Sequence, residues 1–402
     1  MKKPIFIILI IYLLLPGSYK LYAKPDFPSN PSDTVKNYLS EKMNCLTTRK
    51  LDELDKYFPE KNLDARKYLF FTKTQLLRDY LVAYSTNNYC IKKVFPKVKI
   101  ISVDTKENKS TVNALVTAQI HWNAQNSYSN VIVGVANEVH SIVLSQENNH
   151  WSILSDQFQS DSGSSELCER MSSENLIRSV NELKETANKA LNRARSSPPT
   201  NLQLLPRQHS RERSSRELYN RDGAYNWAHK YWKNYSKEYI NLGDQEWEGG
   251  DCTNFISQCL RAGGARNDTT GNNKWYYIPS GGANSNKDNY SWTWSTAKGL
   301  NSVLLGNNTK KEFGPKGTEK IITGDSNYSP ALGDFISLGD IIQYEWSAGS
   351  GIKHSAIIVG MVNNSALQRN EPVISTHSFD SWNLPWTKNA YKTHFIHITG
   401  VN

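Results

Sequence analysis

The residues with reactive chemistry gather in three short stretches. The first, GGDCTNFISQCLRAGG, runs from Gly249 to Gly264 and holds Cys252 and Cys259, seven residues apart. The others are KHSAIIVG, with His354, and PVISTHSFDSWN, with His377. A thiol and an imidazole together can transfer acyl groups, the thiol as nucleophile and the imidazole as base, with a third polar group to orient the ring. Other uses of two cysteines compete with this. A disulfide needs the two alpha carbons within roughly 7 Å, and seven residues of helix span about 10 Å. A zinc site wants about two to four residues between paired cysteines, with further ligands nearby. This stretch has no such set.

These side chains need a helix and three strands to hold them. Asp251 is an N-cap type whose carboxylate can accept from orphan backbone amides, and Gly263 and Gly264 stop the helix. Cys252 then takes the first helical position, where the amides and the dipole favour a thiolate. A plain buried cysteine at a helix start is the competing reading. Cys259 lies among Phe255, Ile256 and Leu260 and reads as a small buried hydrophobe. Gly249 and Gly250 leave room for a substrate against the backbone. Downstream, Ile341 to Trp346 reads as a strand, and after a glycine-rich turn His354 opens a second. His377 ends a third. If the second and third strands pair, His377 could bring its ring close to His354.

DCTNFISQCLRAGG, GDIIQYEW and KHSAIIVG closely resemble the bacterial putative amidase domain family, within the papain-like group that includes the NlpC-type and CHAP-type wall hydrolases. The resemblance covers about Glu217 to Asn402. It implies a papain-like α+β core, a nucleophile helix packed on an antiparallel sheet that carries the histidine. Carried over, Cys252 is the nucleophile, His354 the general base and His377 the third polar residue, with Asp380 and Asn383 as runners-up. Lys353 departs from the acidic residue expected before the histidine. The oxyanion would be held by the Cys252 amide and a second donor, for which Gln245 is a candidate. No cofactor and no metal is implied.

Around this core the chain of 402 residues divides into further parts. Two lysines, an apolar run from Ile5 to Leu15 and the breaker Pro16-Gly17 predict a signal peptide over residues 1–23, hence a secreted protein. Leu21 is a poor fit for the cleavage site, and an uncleaved anchor is the alternative. Residues 31–162 read as a small α+β domain, two helices followed by a curved antiparallel sheet. Thr111, Asn113 and Leu115 alternate with Val112, Ala114 and Val116, and Glu147-Asn148-Asn149 marks a hairpin. This arrangement resembles the cone-shaped nuclear-transport-factor-like fold. His121, His140 and His150 lack ligand spacing and read as ordinary surface or core histidines. Residues 164–216 read as a linker helix and a Pro-rich, basic segment with Arg207, Arg211, Arg213 and Arg216, either a solvated linker or a wall-polymer contact. Residues 217–402 form the catalytic part.

The formal charge of +9 suits an anionic wall polymer or membrane surface. The basic residues are too dispersed for nucleic acid to be expected. Five cysteines in an oxidising setting leave at least one unpaired. Cys45 and Cys90 could pair, and Cys168 stands alone. Trp275, Tyr276, Tyr277, Trp292 and Trp294, in an insertion after the nucleophile helix, fill a small core or line a cleft. The reading is a secreted cysteine amidase or peptidase acting on peptide or peptidoglycan-type substrates. An inactive wall-binding protein that keeps the fold, and a transacylase, are the alternatives.

Overall fold

The computed structural model describes residues 30–81, 89–124, 131–160, 163–164, 172–196, 202–205, 219–244, 250–271, 273–280, 287–306, 313–323, 328–346, 348–364, 368–378, 380–386 and 390–401. Residues 1–23, expected to be a leader, and Cys168, Gln245, Arg207, Arg211, Arg213 and Arg216 lie outside the described residues.

Helix α1 (Pro31–Thr48) begins where Asn30 accepts the Asp33 amide at 2.8 Å, with Pro31 in the first turn. It lies with α2 (Leu63–Leu81) against a meander of β1 (Tyr89–Lys106), β2 (Lys109–Ala124), β3 (Ile132–Glu147) and β4 (His150–Ser160). The alternation along β2 sets the inner face, where Val112, Ala114, Val116, Ala118, Ile120 and Trp122 are buried. The β3–β4 hairpin turns on Asn148 and Asn149, at φ 51 and 61, left-handed values that asparagine tolerates. Cys45 and Cys90 are both buried and are not joined to each other, the pairing the sequence allowed.

One N-terminal histidine is not ordinary. His140 is fully buried, with Nδ1 2.7 Å from Asp156 Oδ1 and Nε2 3.2 Å from Glu138 Oε2. Lys42 Nζ donates to the same Glu138 oxygen at 2.8 Å, and the Tyr38 hydroxyl donates to Asp156 at 2.9 Å. These partners are scattered through the sequence, so spacing gave no sign of the network.

The next segment contributes β5 (Gly163–Ser164), then α3 (Ser173–Ser196), packed on α2, and β6 (Leu202–Leu204), which pairs with Val362, Asn363 and Asn364. The C-terminal half follows with α4 (Arg221–Tyr231), α5 (Cys252–Ala262), β7 (Tyr277–Ile278), β8 (Asn289–Tyr290), α6 (Trp292–Ser295) and α7 (Ala297–Gly306). It ends with β9 (Pro315–Ile322), α8 (Pro330–Phe335), β10 (Ile341–Glu345), β11 (His354–Asn364), β12 (Arg369–Thr376), β13 (Ser381–Pro385) and β14 (Lys392–Val401). The fold is α+β. Among the described residues the main sheet runs β1-β2-β3-β13-β12-β11-β10-β14-β9, so the two halves share it. Ser381 and Trp382 of β13 face Ala136 and Val135 of β3, and the Asn137 amide donates to Asp380 O at 2.8 Å.

The C-terminal strands bury both faces. Ile341, Ile357 and Ile396 join the helices in the larger core, while Ile342, Tyr344, Ala356, Ile358, Ile374 and Phe395 face a second core with Trp386 and Leu332. Neighbouring residues therefore look into different cores.

The His140 network ties stability to pH. Burial pushes the Glu138 carboxyl up, but Lys42 and His140 reverse this and hold it at about 2. Burial pushes the His140 imidazole down, yet Asp156 and Glu138 leave it above its ordinary 6.5. Glu138 thus stabilises the fold above its ordinary 4.5 and loses that contribution as pH falls towards about 2. His140 contributes fully below 6.5 and loses its contribution as pH rises through the raised folded value. Urea midpoints should fall at both extremes, and His140→Gln should flatten the alkaline fall. Urea titrations across pH for both proteins check this.

Candidate active site

The start of α5 is fixed by the carboxylate next to the thiol. Asp251 does not cap its own helix, contrary to the expectation from sequence: its side chain makes no capping bond. It points back instead. Its Oδ1 accepts from the Leu242 amide at 2.8 Å and from Asn254 Nδ2 at 2.7 Å, and its Oδ2 lies 2.6 Å from His377 Nδ1. His377 Nε2–H donates to Tyr231 O at 2.9 Å, and its ring stacks on Phe255 at 3.9 Å. The Asp251 amide donates to Ser378 Oγ at 2.7 Å. Gly250 sits at φ +104, and a Cβ there would run into that hydroxyl, so this approach needs glycine. Loop, helix start and the turn after β12 are thus locked together.

His377 is therefore not bonded to His354. Both its ring nitrogens are held, by Asp251 and by Tyr231. The reason is strand parity. Ile358 faces Ile374 across β11 and β12, so His354, Ala356 and Thr376 share one face, and His377, one residue further, looks the other way. Thr376 meets His354 instead: its Oγ1 is 3.1 Å from His354 Nε2. Parity was the signal that could have found it. The runners-up serve the junction between halves. Asp380 accepts from the Tyr235 hydroxyl at 2.8 Å, and Asn383 Nδ2 donates to Val133 O at 3.0 Å.

Cys252 stands at the first position of α5, against the start of β11. The amides of Ser355 and Thr253 and the Thr253 hydroxyl, 3.7 Å from the sulfur, favour its charged form. Ser355 anchors this corner further. Its Oγ lies 3.1 Å from Thr253 Oγ1 and accepts from Gln343 Nε2 at 3.0 Å, and its carbonyl accepts from Thr376 at 2.9 Å. The next residue back is His354, whose ring stacks against Tyr344 and Trp346. Lys353 is exposed.

The insertion supports this corner from behind. Trp275 and Trp294 are fully buried, and Trp292 is 56% exposed. Trp294 Nε1 donates to Asn254 Oδ1 at 2.6 Å and Trp275 Nε1 to Ser257 Oγ at 3.2 Å, so these two tryptophans satisfy the polar side of α5.

The site rests neutral. Cys252 is 5% exposed and His354 4%. Burial, the largest influence, pushes the Cys252 thiol up from its ordinary 9.0, the Thr253 hydroxyl and the Ser355 amide pull it down, and Asp251 pushes it up again. Burial alone holds the His354 imidazole down at about 3. This corrects the expectation of a thiolate: the helix end does not outweigh desolvation in the closed site.

In the ligand-free protein, Cys252 should therefore alkylate more slowly at neutral pH than in the unfolded chain, and faster as pH rises past 9.0. Iodoacetamide labelling with peptide mapping checks this. Fast labelling that is flat across neutral pH would contradict it. Asp251→Ala leaves buried partners unsatisfied and should destabilise the chain by about 3–5 kcal/mol, measured by denaturant titration.

Residues 218–399 match the family model described as putative amidase domain. The uncharacterized protein YhbB of Bacillus subtilis (strain 168) is 26% identical over 174 residues, which is 42% of this chain and 44% of that protein. This chain therefore matches less than half the length of that relative. A crystal structure of the Kfla4162 protein from Kribbella flavida aligns over 31% of this chain and 87% of its own, at 11% identity and a TM-score of 0.23, too low to carry an argument. Over residues 218–399 the chain is similar to an amidase-like family.

Proposed function

We propose that this chain is a secreted, cysteine-dependent amidase or peptidase with a papain-like arrangement. Cys252 would be its nucleophile and His354 its base, and its substrate an amide in wall peptide or a related peptide. The observation that carries the reading is the placement of Cys252 at the positive end of α5, against the amide of the residue that follows His354. The amidase-like match supports the class of bond. The leader sequence supports export, and the charge of +9 supports an anionic surface as the working environment.

The neutral resting state sets the order of events. The Cys252 proton passes to His354 as sulfur attacks the carbonyl carbon. The S–C bond forms, and the carbonyl electron pair moves to oxygen, which the Cys252 amide at the helix end receives. The imidazolium then protonates the leaving nitrogen as the C–N bond breaks. Water, deprotonated by His354, opens the thioester and returns the thiol and the neutral ring. Desolvation keeps both groups uncharged until a substrate carbonyl arrives.

The near-closure of Cys252 and His354 to solvent favours a second reading, an inactive wall-binding protein that retains the fold. Incubation of the full chain with purified peptidoglycan and a protein panel separates the two. New amines should appear with wild type. They should fall by more than about a thousandfold in Cys252→Ala and His354→Ala. Binding without new amines would leave the second reading standing.

A further inference from the structure

The hydrogen bonds around Thr376 decide which nitrogen of His354 can act as a base. Thr376 is fully buried. Its Oγ1 lies 3.1 Å from His354 Nε2, 2.9 Å from Ser355 O and 3.1 Å from His377 O. A hydroxyl has one proton to give, and a carbonyl oxygen only accepts. If Nε2 were bare, three acceptors would compete for that one proton in a buried place. With the proton on Nε2, the ring donates to Thr376, and Thr376 donates to the Ser355 carbonyl. The Nε2 nitrogen and the Ser355 carbonyl are then both paired, and the lone pair sits on Nδ1.

We propose that Thr376 is the positioning residue of the site: it holds His354 as the Nε2–H tautomer and turns Nδ1 into the base. This rests on the reading of Cys252 and His354 as nucleophile and base. The Cys252 proton then moves to Nδ1, and the Nε2–H bond to Thr376 becomes charge-assisted as the ring turns cationic. The Nδ1 proton leaves with the departing nitrogen. Thr376 itself never changes protonation state. His377 cannot fill this role, because Asp251 and Tyr231 hold its two nitrogens. A hydroxyl orients the ring without lending it charge, so the base stays weak until it is used.

The test is 15N NMR of the imidazoles in the full chain, with the His354 signals assigned by their loss in His354→Gln. Wild type and Thr376→Ser should show a pyrrole-type Nε2 and a pyridine-type Nδ1. Thr376→Val, which keeps the shape and removes the hydroxyl, should lose that preference. With a peptide substrate, Thr376→Val should lower kcat by about 10- to 100-fold at a nearly unchanged KM, and Thr376→Ser should stay within about threefold. A wild-type Nδ1–H tautomer, or an unchanged tautomer and kcat in Thr376→Val, would overturn the proposal. If Cys252→Ala kept full activity, the amidase reading would fail instead, and the tautomer spectrum would still decide the role of Thr376.

Discussion

A single buried carboxylate keeps the candidate site in one piece. Asp251 has no exposure to solvent, and its two oxygens engage the Leu242 amide, Asn254 and His377. Through those contacts it joins the loop before α5, the first turn of α5 and the turn that follows β12. Cys252 is the next residue, so the position of the sulfur follows from the position of this carboxylate. A buried carboxylate with its partners in place is strongly directional, and its position is costly to change.

Strand parity does the rest. The start of β11 sends His354 to one face and Ser355 to the other, and the amide between them is the point the sulfur faces. Thr376 arrives on the His354 face and His377 on the Asp251 face, so two adjacent residues serve different ends. Beyond β13 the sheet continues into β3. The turn that carries His377, Ser378 and Asp380 is thereby braced by the N-terminal half through the bond from Asn137 to Asp380.

Much of this was legible in the sequence. The α5 helix, its glycine stop, the strand opened by His354, and the helices and meander of the N-terminal half follow from periodicity, turn residues and apolar faces. What was not legible depended on tertiary pairing. The direction of the Asp251 carboxylate depends on where residues 242 and 377 come to lie. The His140 network joins α1, β3 and β4, which no local pattern connects. The expectation that His377 orients the ring of His354 fails on parity, since two histidines on neighbouring strands meet only if they share a face. The charge state of Cys252 depends on burial, which outweighs the helix end and which no local pattern reveals.

The central claim is that Cys252 carries the acyl group. It is tested most directly by acid-quenching the full chain during reaction with peptidoglycan fragments and mapping the trapped adduct by mass. The account predicts a hydroxylamine-sensitive acyl mass on the peptide containing Cys252, missing in Cys252→Ala. Amide hydrolysis that proceeds with no adduct on that peptide, and continues unchanged in Cys252→Ala, would contradict it.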